Sequence, residues 1–324
     1  MNDTLTAVLG LKVGHAHVEG FLSGCTVILT PPEGCPAGVD IRGGAPGTYG
    51  TDSLAPVNLV ERVHGIFLSG GSAFGLAVGD GVRRFLKENN VGFETGYEKV
   101  PIVCGAIIFD LGINKGGKKP DSDLGYEACR CASSEPVLCG NVGAGAGATV
   151  GKLFGLERAM KGGLGSYCIT TPYGLKVAAL MVVNAFGDIW DPREGRLLAG
   201  CRKSPDSREL ADARECIRGL KVLRGFPDGN NTVIGVVATN AEMNKTQLTK
   251  VAQMAHDGIA RTVVPAHTQY DGDTIFAISC GDLKGVETSV VGHLAADAVS
   301  EAIVRAVRSA VGVKGIPAWK EIQA

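Results

Sequence analysis

Layered α/β packing is the fold class this sequence predicts, and two observations carry it. Apolar runs of strand length alternate with amphipathic stretches at helical spacing, without the strict strand–helix–strand rhythm that a Rossmann-type sheet would show. Glycine is in excess, 47 of 324 residues, and gathers in patches between periodic segments instead of forming a low-complexity tract. Such patches mark tight turns and close backbone approach. The chain is long enough to bury a substantial core, and large layered folds reach this size, so residues 1–324 are read as one compact domain.

The elements follow in order. "CTVILT" reads as a strand, and "VDIRGGAPGTYG" leads from a β-rich run into a glycine patch. In "GIFLSGGSAFGLAVGDGVRRFLKENN", Ile66 to Leu68 read as a strand, and Phe74, Leu76, Ala77, Val82 and Phe85 predict a helix after it. "PIVCGAIIFDL" supplies another strand, and "YCITTPYGLKVAALMVVNAFGDIW" a hairpin turning at Pro172 to Gly174. From Asp191 to Asn231 the chain is charged, broken by Pro and Gly and poor in β-branched residues, which predicts a surface linker with one short helix. "TVIGVVAT" then begins abruptly at Thr232 as a near-continuous apolar run, the pattern of a strand buried on both faces. Asn244 with Gln247 forms a capping-box signal opening a helix whose Leu248, Val251, Ala255 and Ile259 share one face. "DGDTIFAIS" gives a turn and a strand, and residues 289–310 a final amphipathic helix.

Composition excludes several classes of function. Charge is nearly balanced, with a formal net of -1, so there is no electrostatic footprint for nucleic acid or an anionic membrane surface. The longest apolar runs are too short to span a bilayer, and "MNDTLTAVLGLKVGHAH" lacks a basic n-region and cleavage site, so a cytoplasmic location is expected. The ten cysteines, scattered from Cys25 to Cys280 with only Cys129 and Cys131 close together, predict reduced thiols. The six histidines show no metal-ligand spacing; His15 and His17 share one side of a strand without accompanying ligands. No cofactor or metal is implied.

Four stretches carry candidate chemistry. "GNVGAGAGATVGKLFG" resembles a phosphate loop only superficially. Counting back from Gly151-Lys152 lands on Ala146 instead of Gly, and Leu153 stands where a hydroxyl residue is needed. Gly143, Gly145 and Ala148 meet a dinucleotide fingerprint only marginally, since "SSEPVLCGN" before them is a poor strand. Close packing around a cleft fits better, with Lys152 either a solvated charge or aimed into that cleft. "YDGDTIF" reads either as a tight hairpin turn or as two carboxylates, Asp271 and Asp273, pointing the same way. Thr232, on its own, is an unremarkable strand opener.

Together, however, "GVDIRGGAPGT", "HGIFLSGGSAFGL", "PIVCGAIIFDL", "GNVGAGAGATVGK", "VVNAFGDI", "NNTVIGVVATNA" and "AHDGIARTVVPAHTQYDGDTIFA" resemble the DmpA-type aminopeptidases. This family is also known as the P1 or L-aminopeptidase/D-esterase peptidases, and includes β-aminopeptidases and nylon-oligomer hydrolases. The resemblance implies an α-β-β-α sandwich like that of N-terminal nucleophile hydrolases and ornithine acetyltransferases. It also implies a precursor that cuts itself before a Ser or Thr. Carried onto this chain, the scissile bond is Asn231–Thr232, giving subunits 1–231 and 232–324. Thr232 would be the nucleophile, Asn184 the oxyanion-stabilising amide, and Asp271, Asp273 and Lys152 members of the same pocket. The substrates implied are small peptides or amino-acid amides, and the assembly a homotetramer or larger. Phe109 departs from a Tyr found in some relatives and cannot donate its hydrogen bond. The Thr nucleophile, the Asn-Thr junction and the Asp-Gly-Asp stretch lean towards the nylon-oligomer hydrolases, whose substrates are 6-aminohexanoate oligomers. Two alternatives stay open: an amine-directed acyltransferase of the ornithine acetyltransferase type, and a non-processed binding protein on the same fold.

Overall fold

The structure is a computed structural model that describes residues 2–223 and 231–322. Two sheets form its centre. One has six strands, in the order Gly163–Thr170, Lys176–Asn184, Thr232–Ala241, Thr274–Leu283, Cys35–Ile41 and Arg62–Val63. The other has five: Lys12–His17, Gly24–Leu29, Gly65–Ser69, Val103–Ile107 and Thr48–Tyr49.

Residue parity along the central strand explains the layers. Ile234, Val236 and Ala238 face the five-stranded sheet together with Ala178, Leu180, Val182, Phe276 and Ile278, and meet Ile28, Ile66, Leu68 and Ala106 there. Val233 and Val237 face the opposite way, onto the helices Lys245–Thr262 and Thr288–Ser309. A strand buried on both faces has to be apolar at every position, which is why "TVIGVVAT" shows no alternation. The helices Val78–Glu88 and Ser122–Arg130 cover the outer face of the five-stranded sheet over Val27, Phe67 and Val103. The order of layers is therefore helix, sheet, sheet, helix.

Local signals set the element ends. Asn244 and Gln247 form the reciprocal capping box, so the helix starts at Lys245 as the spacing predicts. Gly165 is dictated by packing: a Cβ there would stand 2.1 Å from the Ala302 carbonyl of the helix crossing above it. No described helix is long and apolar enough to cross a membrane.

Three expectations need correction. Phe74 is 65% exposed and lies in a 3-10 turn ahead of the helix at Val78, so it belongs to no buried helical face. The segment 191–231 is not wholly a linker. Arg196–Ala199 pairs with Asp188–Asp191, and Leu198, Ala199 and Cys201 are buried, while the short helix Ala213–Arg218 is present as expected. The few apolar residues that anchor this segment are hidden among charges in the sequence, and residues 224–230 lie outside those described. Finally, Cys35 and Cys280 are joined by a disulfide between neighbouring strands, against the expectation of reduced thiols. Their separation of 245 residues concealed the pairing, because strand neighbours that distant are not visible in spacing.

Candidate active site

The site grows from the first residue of the Thr232–Ala241 strand. Thr232 pairs in register with Asn184, the last residue of Lys176–Asn184. Directly opposed residues of antiparallel strands put their side chains on one face, about 5 Å apart at Cβ. Both share the parity of Val182 and Ile234, so both point into the space between the sheets, at its end. Both are buried. The Thr232 hydroxyl donates to the carbonyl oxygen of Asn231, the residue before it. That same oxygen accepts the Gly272 N–H at 3.1 Å. Gly272 has to be glycine, because a Cβ there would come within 2.9 Å of the Thr232 hydroxyl and of the Ala45 carbonyl.

Asn184 is fixed by its neighbours. Its Oδ1 accepts from the Thr149 N–H at 3.0 Å and from Lys152 Nζ at 2.9 Å. Its Nδ2 donates to the Phe109 carbonyl at 3.1 Å. With donors crowded on one side of the amide, its NH2 group is necessarily the other side. Lys152 also donates to the Asn184 main-chain carbonyl at 3.0 Å. Lys152 is buried, not a solvated charge. Burial brings its pKa down to about 7, although the carboxylates of Asp271 and Asp110 pull the other way.

Asp271 and Asp273 flank Gly272, and the stretch is not a hairpin turn. The strand it precedes runs parallel to Thr232–Ala241, and Asn231 bridges Asp271. Asp273 Oδ1 accepts the Val233 N–H at 2.7 Å, next to the nucleophile candidate. Asp271 Oδ2 accepts the Thr268 N–H at 2.8 Å and its hydroxyl at 2.6 Å. Burial and then the charge of Asp273 push Asp271 up to about 6. The "RGGAPG" loop straps this turn down: Arg42 N–H donates to the Asp273 carbonyl and Ala45 N–H to that of Asp271.

A cleft of about 760 Å³ opens beside Lys152. Its lining includes Phe109, Asp110, Thr149, Phe154, Leu220 and Val222. The Asp110 carboxylate accepts from Ser23 Oγ at 2.6 Å and the Gly71 N–H at 2.8 Å, and burial raises its pKa. The glycine patch beneath the cleft turns carbonyls inwards. Lys161 Nζ donates to those of Gly145 at 3.0 Å, Ala148 at 2.7 Å and Gly162 at 3.0 Å. A phosphate cradle presents N–H groups, so this polarity is the wrong one for an anion. His15 and His17 serve the same patch: His15 Nδ1 meets Thr26 Oγ1 at 2.9 Å, and His17 Nε2 accepts the Gly143 N–H at 2.8 Å.

The structure thus brings Asn231, Thr232, Asn184, Lys152, Asp271 and Asp273 to one end of the inter-sheet layer. Sequence reasoning missed Thr149, Asp110, Lys161, His267 and Gly272. The "DGD" glycine was the one usable signal among them. As a chemical device the site sets a hydroxyl against a peptide carbonyl already held by an N–H donor, with an oriented amide opposite and a lysine able to be neutral near pH 7.

Comparison with known proteins agrees with this geometry. The pattern of peptidase family S58 matches residues 3–319. An uncharacterized aminopeptidase of Mycobacterium leprae (strain TN) is 38% identical over 353 residues, spanning 98% of this chain and 93% of the relative. A 6-aminohexanoate-oligomer endohydrolase of Kocuria sp. (strain KY2) is 29% identical over 318 residues, spanning 92% of this chain and 84% of the relative. Among solved structures, a Burkholderia sp. beta-aminopeptidase superimposes with a TM-score of 0.72 at 22% identity, covering 100% of this chain and 93% of that one. The L-aminopeptidase D-Ala-esterase/amidase of Ochrobactrum anthropi, described as a variant among the Ntn hydrolase fold, gives 0.68 at 20% identity, covering 97% and 88%. With the match running over nearly the whole chain and the four layers shared, this protein belongs to peptidase family S58, the DmpA-type aminopeptidases, and is a hydrolase on their layered fold.

Proposed function

We propose that the chain is a self-processing amidohydrolase. It cuts its own Asn231–Thr232 bond and then uses Thr232, as a new N-terminus, to hydrolyse amide bonds of small peptides or amino-acid amides. The observation that carries this reading is the Thr232 hydroxyl resting on the Asn231 carbonyl, opposite Asn184.

In the first stage, Lys152 in its neutral form takes the hydroxyl proton while Thr232 Oγ1 bonds to the Asn231 carbonyl carbon. The carbonyl π electrons move onto oxygen, and the resulting anion is held by the Gly272 N–H and the Asn184 NH2 group. Collapse breaks the C–N bond, the proton passes to the departing Thr232 nitrogen, and an ester remains. Water opens the ester, leaving an Asn231 carboxylate and a Thr232 bearing both amine and hydroxyl. In the second stage the amine, with an ordinary pKa of about 8, acts as base for its own hydroxyl. Asp273, already on the Val233 N–H, lies one residue from that amine and favours its ordered placement. The substrate acyl group is transferred to Oγ1 and released by water.

The relatives' descriptions, an aminopeptidase and a 6-aminohexanoate-oligomer endohydrolase, support amide-linked substrates, among which we include 6-aminohexanoate oligomers. In our reading the enzyme needs no cofactor and works in the cytoplasm as a homotetramer or larger of processed pairs. Phe109 lines the cleft with a ring in place of a hydroxyl, which favours apolar acyl groups there. Intact mass spectrometry tests the core of the proposal. With Cys35–Cys280 reduced, wild-type protein should yield two fragments meeting at Asn231–Thr232, and Thr232→Ala one uncut chain without amidase activity. Cleavage and undiminished hydrolysis in Thr232→Ala would overturn it.

A further inference from the structure

We infer that His267 is a positioning residue for the nucleophile, acting through Asp273. The inference rests on the self-processing reading above, and deepens it by assigning a residue that the sequence did not single out.

Asp273 is the only link in the described site that ties the turn at residues 267–273 to the first peptide after Thr232. Its Oδ1 takes the Val233 N–H at 2.7 Å. Its Oδ2 is held twice by one residue, from the His267 main-chain N–H at 3.0 Å and from Nδ1 of the ring at 2.8 Å. A carboxylate accepting at both oxygens from both sides cannot rotate about its terminal bond without losing a charge-assisted bond. Its plane, and with it the bond it makes to the Val233 N–H beside Thr232, is therefore set by His267. Because a carboxylate only accepts, Nδ1 carries the hydrogen.

The backbone confirms that this grip is costly to make. His267 sits at φ 56°, in the left-handed region that is uncommon for non-glycine residues, although His enters it more often than most. Such a conformation is strained and persists where surrounding structure over-determines it. Here the conformation is what lets the N–H and the ring of one residue reach the same oxygen. His256 completes the clamp from the helix behind. Its ring meets that of His267 edge-on, with centroids 4.9 Å apart, and its Nε2 donates to the Asp40 carbonyl at 3.0 Å. Asp40 itself is paired with Ile275 in the neighbouring strand. The line of contact thus runs from the sheet through His256 and His267 to Asp273 and the peptide beside Thr232.

Two substitutions isolate the ring donor from the backbone strain. His267→Gly and His267→Asn both accept positive φ, so neither is penalised there, but only Asn replaces the Nδ1–H with a donor of similar reach. The rate of processing of freshly translated chain is followed by intact mass, with kcat and KM on amino-acid p-nitroanilides for the mature forms. Melting temperature checks folding. His267→Gly should slow processing and lower kcat by about tenfold or more with little change in KM, the cost of a misplaced reacting group. His267→Asn should remain within about threefold of wild type, as expected where the oriented bond is restored. Equal rates for the two variants, whether both fast or both slow, would overturn the inference. If His267→Gly does not fold, His267→Asp takes its place, since it also tolerates positive φ but has no donor when ionised. An unprocessed wild type would instead overturn the underlying self-processing reading, so the two failures are distinguishable.

Discussion

At the scale of single residues the chemistry depends on orientation more than on residue type. Asn184 is locked by donors from Thr149 and Lys152 on one side, so its NH2 group is pre-aimed. Asn184→Ala is expected to lower kcat by about 100- to 1000-fold, as loss of one oxyanion donor does, while KM changes little. The same loss should slow self-cleavage, so processing followed by mass and steady-state kinetics on whatever processed form accumulates both measure it. In the proposed mechanism Lys152 sets a pH dependence. Burial lowers its pKa to about 7, so below that pH it is an ammonium and cannot accept a proton, and above it the neutral amine can. The rate of self-cleavage should therefore rise with pH through a midpoint near 7, and Lys152→Met should remove the rise. A pH series of precursor processing, followed by mass, decides between these. Thr232 was legible as a candidate because a hydroxyl opening a fully apolar strand after "NN" gains meaning from the surrounding family blocks. Lys152 was legible as a candidate but not as a buried one. Nothing in its local spacing distinguishes a solvated lysine from one folded over an amide 32 residues away. Asp110 and Lys161 escaped for the same reason, since their partners lie on other elements.

Elements were read best where their signals are local. The capping box at Asn244 fixes the start of the Lys245–Thr262 helix, and both of its reciprocal bonds are made. Asn244→Ala should cost about 1 kcal/mol of stability, the usual worth of such a cap, visible as a lower urea midpoint at unchanged slope. The hairpin at Pro172 to Gly174 and the helix over Thr288–Ser309 follow equally local patterns. Segment 191–231 was misread because its composition is that of a linker, while its attachment depends on four positions. Leu198, Ala199, Cys201 and Ala213 are buried, some of them against Leu153 and Phe186, next to the Lys152 loop. A handful of apolar residues among charges does not form a period, so no pattern reveals them. The Asp-Gly-Asp stretch shows the converse. The turn closes just before it, at Thr268 to Asp271, and the strand after it pairs in parallel with Thr232–Ala241, which no local rule specifies.

For the molecule as a whole, the layering was legible from the mixture of elements and the family blocks, whereas strand order was not. That order matters for what a cut at residue 231 would do. Thr232–Ala241 and Thr274–Leu283 lie in the middle of the six-stranded sheet, between Lys176–Asn184 on one side and Cys35–Ile41 on the other. The fragments of a cleaved chain would share one sheet and one core, and separating them would expose Ile234, Val236 and Phe276 to water. Processed protein should therefore elute from a native sizing column as a single species containing both fragments, separating only in denaturant with thiol present. Two native peaks would contradict this view of the core. The thiol is needed because of Cys35–Cys280, whose two sulfurs stand on opposite sides of residue 231. While that bond is intact, a matured molecule keeps one continuous covalent skeleton despite its broken backbone. On a gel run without reductant it would migrate as if never cut, and in a mass spectrum its only signature would be the weight of a single water.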